Sequence, residues 1–116
     1  MSFASAATLA LALAITPTAA VAHHGWSAYG ETPQKITGVI RGAQFGNPHA
    51  TIQLQAQDRT WLVVLAPPSR MTTRGLTAES LAAGQPATVE GYAHRSQDNE
   101  MRAQSISLGD TTIPLR

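Results

Sequence analysis

Strict alternation of small apolar and polar residues over residues 49–56 constrains the fold of this chain more than any other feature. Every second residue from Ala50 to Ala56 is apolar, and the residues between them are polar. A period of two is typical of a half-buried β-strand and does not fit an amphipathic helix. Turn residues bound this run at 46–48 and 57–59, so further strands are expected on both sides of it.

The rest of the chain divides into short segments of the same kind. Strands are predicted at residues 35–45, 49–56, 60–66, 86–94, 100–108 and 111–115. The first of these contains β-branched side chains with Gly38 and Gly42 among them, which indicates a bulge or tight curvature. Residues 69–75 are interpreted as a loop. A short helix is predicted at residues 76–83, with Thr77 at its cap.

The order of these elements is three strands, a short helix and two strands, with a short edge strand at the end. This order predicts an all-β fold: a small five-stranded OB-like Greek-key barrel with one short helix between strands 3 and 4. A small open β-sandwich is the competing architecture, and the position of the helix favours the barrel. In such a barrel, the loops between strands 1 and 2 and between strands 4 and 5 lie at the ligand-binding end.

The first 22 residues have the composition of a secretory leader. They contain no charged side chain, their middle is rich in Ala, Leu and Ile, and residues 20–22 read Ala-Val-Ala. We therefore predict a signal peptide at residues 1–22, cleaved after Ala22, and a periplasmic or secreted location for the remainder. No stable membrane span is expected after cleavage, because the apolar run is too short to cross a bilayer. A buried apolar helix or a retained membrane anchor is the alternative.

Beyond the leader, we predict an irregular lead-in at residues 23–34 and one small barrel domain at residues 35–116. The chain carries 8 Lys and Arg against 7 Asp and Glu. Nucleic-acid binding is not expected, because it requires clustered cations and these are scattered. The chain has no cysteine, so any metal site must use His, Met, carboxylate or amine ligands.

Four residues with ligating side chains are expected to meet at one rim of the barrel. His49 follows the loop between strands 1 and 2, and His94 ends strand 4 just before the loop to strand 5. Glu100 and Met101 lie just beyond that second loop. The topology of the barrel brings these two loops together.

Cleavage after Ala22 makes His23 the first residue, which offers its α-amine and ring nitrogen to one metal ion, with His24 beside it. The lead-in precedes the other end of strand 1. However, its twelve residues can stretch roughly 40 Å at about 3.3 Å each, enough to bring both histidines back across the barrel. Amine and imidazole nitrogens suit Cu(II). We therefore predict an exported copper carrier, buffer or sensor with these candidate ligands: His23, His24, His49, His94, Glu100 and Met101.

Each candidate ligand also has a purely structural interpretation. Met101 fits the core side of an alternating strand, and Glu100 is expected to be solvated or paired with Arg95. His49 can cap the Asn-Pro turn that precedes it, and His94 can be a surface residue at a strand end. A terminal His-His pair can simply be solvated.

Two other classes of function stay open. A metal-free envelope module that binds a protein, peptide or glycan at the same rim would rely on Trp61, Arg70 and Arg74. The two arginines can equally hold their loop to the barrel through backbone carbonyls. An oxidase or monooxygenase built on a terminal histidine ranks last, since a chain this short offers no evident platform for a substrate. No nucleophile elbow, Gly-rich phosphate loop or H-E-x-x-H motif is present, so nothing indicates acyl transfer or phosphate binding. An envelope or inner-membrane protein is the expected macromolecular partner.

The stretches AHHGWSAY, NPHA, WLVVLAPPSRMTTRGL, EGYAHR and EMRA together resemble the DUF6152 family of small exported proteins. The resemblance extends over residues 23–116 and implies an exported, β-rich domain of unknown activity. Gly30 stands where the resemblance leads us to expect an acidic residue. The family's motifs include His23, His24, His49, His94, Glu100, Met101 and Arg102.

Overall fold

Six strands and one short helix make up residues 25–116, the part of the chain that this computed structural model describes. A 3₁₀ turn at Trp26–Ala28 comes first. The strands are β1 (Gln34–Gln44), β2 (Thr51–Gln55), β3 (Thr60–Val64), β4 (Pro86–Ala93), β5 (Glu100–Leu108) and β6 (Thr111–Pro114), with α1 (Pro68–Thr73) between β3 and β4. The predicted signal peptide and the predicted ligands His23 and His24 lie outside the described residues.

A parallel ladder between β3 and β5 closes the sheet into a five-stranded barrel. β1 pairs with β2 and with β4, β2 pairs with β3, and β4 pairs with β5, all antiparallel. Leu62 of β3 lies opposite Glu100 at the start of β5 in the parallel ladder. This closure confirms the predicted OB-like barrel and shows that the open sandwich is wrong. β6 continues the sheet beyond β5, outside the closed ring.

Two glycines of β1 lie where its pairing departs from that of a regular strand. β1 changes register between Ile40 and Gly42, which confirms the predicted bulge. A Cβ on Gly38 would contact the carbonyl oxygen of Gln55, so only glycine fits where β2 ends against β1. The curvature that lets β1 pair with two strands depends on these positions.

A second bulge changes which residues of β5 face the core. Glu90 lies opposite Ser105 and Gly91 opposite Ala103, so Gln104 has no counterpart on β4. Because one extra residue reverses the alternation, Met101 and Ala103 are buried before the bulge and Ile106 after it. A strand that simply alternated would turn Ser105 to the core after Met101 and Ala103, whereas the bulge turns Ile106 to the core instead.

The helix between strands 3 and 4 lies earlier in the chain than predicted. Residues 69–75, interpreted as a loop, contribute most of α1, and Pro68 begins that helix at a position where a missing N–H costs nothing. The hydroxyl groups of Thr72 and Thr73 donate to the carbonyl oxygens of Pro68 and Ser69.

Residues 76–83 form turns instead of the predicted helix. Leu76 and Leu81 are both buried, and a spacing of five residues does not place two side chains on one helix face. Thr77 and Ser80 exchange backbone and side-chain hydrogen bonds, which closes a single turn. Thr77 accepts the hydrogen bond expected of a capping residue, but it closes this single turn and does not begin a regular helix.

Within residues 25–116, no helix is long and apolar enough to cross a membrane.

Candidate functional site

The lead-in reaches the barrel at the rim where strand β4 ends. Antiparallel pairing places Gln34, the first residue of β1, opposite Gly91 near the end of β4. Before β1, Tyr29 forms a bridge with His94, and the Gly30 N–H donates to the carbonyl oxygen of Ala93. The expectation that the lead-in starts from the opposite end is therefore wrong, because the first half of β1 runs along β4.

Aromatic and cationic side chains hold the lead-in against the barrel. The ring of Trp26 meets the ring of Tyr92 edge to face, with centroids 5.8 Å apart. The guanidinium carbons of Arg102 and Arg116 each lie 4.4 Å from the centroid of the Trp26 ring. The Arg95 N–H donates to the carbonyl oxygen of Ala28. The lead-in is thus docked on the barrel through the side chains of Trp26 and Tyr29.

Three of the predicted ligands line one cavity at this rim. His49, His94 and Glu100 contribute to a cavity of about 430 Å³, together with Tyr29 and Arg102. His49 comes from the β1–β2 connection, and His94 and Glu100 flank the β4–β5 loop. These two loops therefore meet at one rim of the barrel, as the strand order predicted. Ala28, Pro48, Thr51 and Val64 complete the lining.

Tyr29 links the two polar residues at the β4–β5 end of the cavity. Its hydroxyl group donates to Glu100 Oε2 across 2.7 Å, and its ring packs edge to face on the His94 ring with centroids 5.1 Å apart. His94 Nε2 lies 3.8 Å from the same oxygen. Burial, and then the hydrogen bond to Glu100, raises the pKa of the Tyr29 hydroxyl well above its usual value. Glu100 therefore has Tyr29 as its partner, and the pairing with Arg95 expected from the sequence is wrong.

The hydrogen bonds that the His94 ring accepts determine its tautomer. Backbone N–H groups of Ser96 and Gln97 donate to Nδ1 over 3.1 Å and 3.0 Å. An acceptor nitrogen carries no proton, so the neutral ring bears its proton on Nε2, on the side of Glu100. A metal ion at Nε2 would require the proton to move to Nδ1 and both backbone hydrogen bonds to break. His94 is consequently poorly suited to bind a metal ion through Nε2.

His49 and Arg102 contact each other in the lining of the same cavity. Arg102 Nη2 lies 3.2 Å from His49 Nε2. Because a guanidinium can only donate, Nε2 is the acceptor and the His49 ring is neutral in this contact. A metal ion bound at Nε2 would have to displace this guanidinium.

Arg102 is the one buried charged side chain among the described residues, at 8 % exposure. Burial lowers the pKa of its guanidinium, and the charges of Arg116 and Arg70 lower it further, while Tyr29 acts in the opposite direction. Arg102 is one of the family's motif residues but was not among the predicted ligands. The available signal was an arginine in an alternating strand between the core residues Met101 and Ala103, facing the same side as Glu100.

Of the remaining candidate residues, only Met101 falls within the part of the chain that the structure describes. Met101 is fully buried in the hydrophobic core with Ile40, Leu54 and Val63, so its side chain does not line the cavity. His23 and His24 precede the described residues. Within residues 25–116, no group of three or more His, Asp or Glu side chains is placed to hold a metal ion.

The residues of the alternative interaction module have structural roles. Arg70 Nη1 donates to the carbonyl oxygen of Leu115 over 3.2 Å, and Arg74 Nη1 donates to that of Pro114 over 2.6 Å. These bonds fasten α1 to the end of the chain, as one interpretation of the sequence held. Trp61 is buried in the core at 7 % exposure, with the Arg59 guanidinium over its ring.

A comparison with protein families supports the resemblance noted in the sequence. The family model described as "Family of unknown function (DUF6152)" matches residues 10–102. The match begins within the predicted leader and ends at Arg102, so most of β5 and all of β6 lie beyond it. No curated protein matches this chain. Since the match extends over most of the sequence and contains every rim residue described above, the chain belongs to the DUF6152 family, whose function is unknown.

Proposed function

We propose that this chain is an exported copper-binding protein, with a carrier, buffer or sensor role, whose site forms where its mature N-terminus meets the barrel rim. One observation supports this proposal above the others. The lead-in docks on the same rim where His49, His94 and Glu100 line a single cavity. A periplasmic or secreted location is part of the proposal and rests on the leader-like composition of residues 1–22.

The reach of the N-terminus is compatible with this site. Trp26 follows His23 by three residues, which span at most about 10 Å. Trp26 packs on Arg102, and Arg102 lines the cavity. Cleavage after Ala22 would therefore leave the α-amine and ring of His23 within reach of the cavity without any rearrangement of the docked lead-in.

The contacts at the rim distinguish the candidate ligands that are available to a metal ion from those that are not. The α-amine and ring of His23 would chelate the ion, with His24 or His49 as a further imidazole. Tyr29 binds Oε2 of Glu100, so Oε1 is the carboxylate oxygen best placed to receive a cation. His94 is left out of the ligand set because its Nδ1 accepts two backbone hydrogen bonds, and Met101 is left out because it is buried in the core.

Copper is preferred to other metals because of these ligand types. Amine and imidazole nitrogens suit Cu(II), which also has the highest affinity among the divalent first-row ions. The chain has no cysteine, which makes a structural zinc site less suitable.

The test is the intact mass of the exported protein, expressed with its own leader, before and after one equivalent of Cu(II). We expect a chain that begins at His23 and retains one copper ion through desalting. Insertion of Ala-Pro between Ala22 and His23 should remove tight binding, because it separates the α-amine from the histidine ring and the proline, which has no amide N–H, prevents a new chelate through the second backbone nitrogen. A different N-terminus in the wild-type chain, or no retained copper, would contradict the proposal.

A matched pair of carboxylate variants tests the role of the rim. Glu100→Gln should weaken copper binding about tenfold or more, since it removes a negative charge from the site. Glu90→Gln is the control, because Glu90 contacts Lys35 and Gln104 on the barrel and does not line the cavity. Equal losses in the two variants would place the copper ion elsewhere.

No observation in the described part of the chain favours the metal-free interaction module. The three residues on which it would depend are engaged in the core or in hydrogen bonds to the chain end.

A further inference from the structure

Two depressions on the outside of the barrel meet at one exposed apolar side chain. Within residues 25–116, Leu62 in β3 is the large apolar residue that is exposed, at 40 %. One depression, of about 190 Å³, lies between Leu62 and strands β1 and β2. The other, of about 380 Å³, lies between Leu62 and the β4–β5 loop. Because Leu62 lines both, the two depressions adjoin each other, and we refer to them together as the outer groove.

The outer groove extends over four neighbouring strands. It begins at Gly42 of β1, passes Gln53 of β2 and Leu62 of β3, and ends at residues 96–100, which lead into β5. These strands lie side by side in the barrel in the order β1, β2, β3 and β5. Neighbouring strands are about 4.8 Å apart, so the groove extends over about 14 Å. This length suits a chain of linked units better than a single small molecule.

Primary amide groups lie on both sides of Leu62. Gln44 and Gln53 line the depression beside β1 and β2, and Gln97 and Asn99 line the one beside the β4–β5 loop. All four residues are exposed. Each amide offers two donor hydrogens and an acceptor oxygen. A hydroxyl group is likewise both a donor and an acceptor, so a ligand rich in hydroxyl groups matches this lining.

The charge of the lining does not suit an anionic polymer. Among the described residues, no Lys or Arg lines either depression, whereas the carboxylates of Asp98 and Glu100 line the second. Arg59 donates to the carbonyl oxygen of Asp98, but its charge is paired with Asp58. Nucleic acids and other anionic chains bind through clustered cations. The lining therefore favours an uncharged chain.

The strands beneath the groove offer no open edge to an extended peptide. β2 pairs with β1 on one side and with β3 on the other, and β3 pairs with β2 and β5. A peptide that adds a strand to a sheet needs an unpaired edge for its main-chain hydrogen bonds. A ligand of the outer groove must therefore be recognised by side chains.

We infer that the outer groove binds an uncharged oligosaccharide. The hydroxyl groups of the sugar form hydrogen bonds with the amides of the groove, and the apolar face of one ring packs on Leu62, which removes apolar surface from water. This inference goes beyond the proposed function and does not depend on copper. It also uses none of the three residues of the metal-free interaction module.

The side-chain amide signals in two-dimensional ¹H–¹⁵N NMR report on this groove directly. The ¹⁵N-labelled exported protein, kept metal-free with a chelator, is titrated with cellohexaose, maltohexaose and chitohexaose. With at least one of these sugars, we expect saturable shifts of the four groove amides and a Kd of about 1 mM or below. The amide of Gln34 is exposed at the start of β1, lines neither depression and should not shift. Absence of shifts with all three sugars at about 10 mM would overturn the inference.

Three variants test the groove by different means. Leu62→Ala removes the apolar contact and Gln53→Ala removes an amide, so each should weaken sugar binding about fivefold or more. Gly42→Val should have a similar effect, because it fills the first depression without removing a hydrogen-bonding group. A Cβ on Gly42 would meet, outside the neighbouring residues, only Gln53 Oε1 at 3.9 Å.

Gly46→Val is the matched control for Gly42→Val. An added Cβ on Gly46 meets no atom within 4 Å, and Gly46 lines neither depression. Circular dichroism verifies the fold of each variant, and if one does not fold, the amide shifts of the wild-type protein decide the question. Wild-type affinity in both Leu62→Ala and Gly42→Val would place the sugar elsewhere and contradict the inference.

An acidic sugar tests the charge of the ligand. Hexagalacturonate is a chain of similar length with a carboxylate on each ring. We expect it to bind about tenfold more weakly than the tightest neutral sugar, because Asp98 and Glu100 repel its carboxylates. Equal or tighter binding of hexagalacturonate at the groove amides would show that an uncharged oligosaccharide is the wrong class of ligand.

Discussion

Tyr29 connects the lead-in with the polar groups of the rim through two different kinds of contact. Its hydroxyl group donates to Glu100, and its ring packs on His94. A hydrogen bond to a charged group in a buried position is stronger than one between neutral groups. Tyr29 therefore fixes the direction of the Glu100 carboxylate and, through the backbone bridge to His94, the position of the lead-in.

Replacement of Tyr29 by phenylalanine isolates the hydroxyl group from the ring. Tyr29→Phe should lower the free energy of unfolding by about 2 kcal/mol, because the Glu100 carboxylate loses a charge-assisted hydrogen bond. Urea denaturation at neutral pH measures this change. Tyr92→Phe is the matched control: the Tyr92 hydroxyl donates to the neutral amide oxygen of Gln104 over 3.2 Å, so its loss should cost about 1 kcal/mol or less. Equal losses in both variants would show that the Glu100 contact has no special strength.

The same pair of proteins gives a pH dependence with a definite sign. Burial and Glu100 raise the pKa of Tyr29 above the unfolded value of about 10. Above that pH the unfolded chain loses the Tyr29 proton while the folded chain keeps it, so raising the pH favours unfolding. The excess stability of the wild type over Tyr29→Phe should be constant below about pH 10 and shrink above it. An excess that stays constant to higher pH would contradict the raised pKa.

At the scale of single residues, the predicted strand order located the rim side chains correctly but did not identify the residues that they contact. The loops adjoining His49, His94 and Glu100 could be brought together from the strand order alone, since those loops share one end of an OB-like barrel. The contact of Arg102 with His49 joins residues far apart in sequence, and no local pattern reports such a pair. The partner of Glu100 was misassigned for the same reason, because Arg95 is close in sequence and Tyr29 is close in space.

At the scale of elements, hydrophobic periodicity located every strand, whereas the helix was misplaced. Alternation depends on burial of one face, which the barrel imposes along each strand. A helix of six residues, α1, has too few side chains to display a period. The residues that mark its ends are Pro68 at the start and Gly75, which has a φ of 83°, after the last residue. The bulge at Gln104 could not be predicted from the sequence either, because it arises from the pairing with β4 and not from a pattern within β5.

Gly91 is the position where strands β4 and β5 approach too closely for a side chain. A Cβ there would contact the carbonyl oxygen of Arg102 and the Cα of Ala103. Gly91→Ala should therefore lower the free energy of unfolding by about 3 kcal/mol, because both obstacles belong to the backbone of a paired strand. Gly46→Ala is the control, since no atom lies within 4 Å of the added Cβ. Thermal melts of the two variants measure the difference, and equal melting temperatures would show that β5 moves aside easily.

On the scale of the whole molecule, the barrel and the lead-in are held by separable sets of contacts. The closed ring depends on β3–β5 pairing, in which the Leu62 N–H donates to the carbonyl oxygen of Asn99. The lead-in is held by the hydrogen bonds of Gly30 and Arg95 and by the packing of Trp26. The rim cavity has walls from both parts, so it is complete only when the lead-in is docked.

Trp26→Ala tests this separation through amide hydrogen exchange. The variant loses two cation–π contacts and one aromatic contact, together about 2 kcal/mol, so opening of the lead-in should become about tenfold to a hundredfold more frequent. Exchange at the Gly30 and Arg95 amides should accelerate by that factor. The Leu62 amide, which reports barrel closure in the same sample, should keep its wild-type rate. Equal acceleration at all three amides would mean that lead-in and barrel open as one unit, and that the rim forms whenever the barrel folds. Selective acceleration would instead mean that docking of the lead-in is a separate equilibrium, one that a metal ion bound at the mature N-terminus would shift toward the docked state.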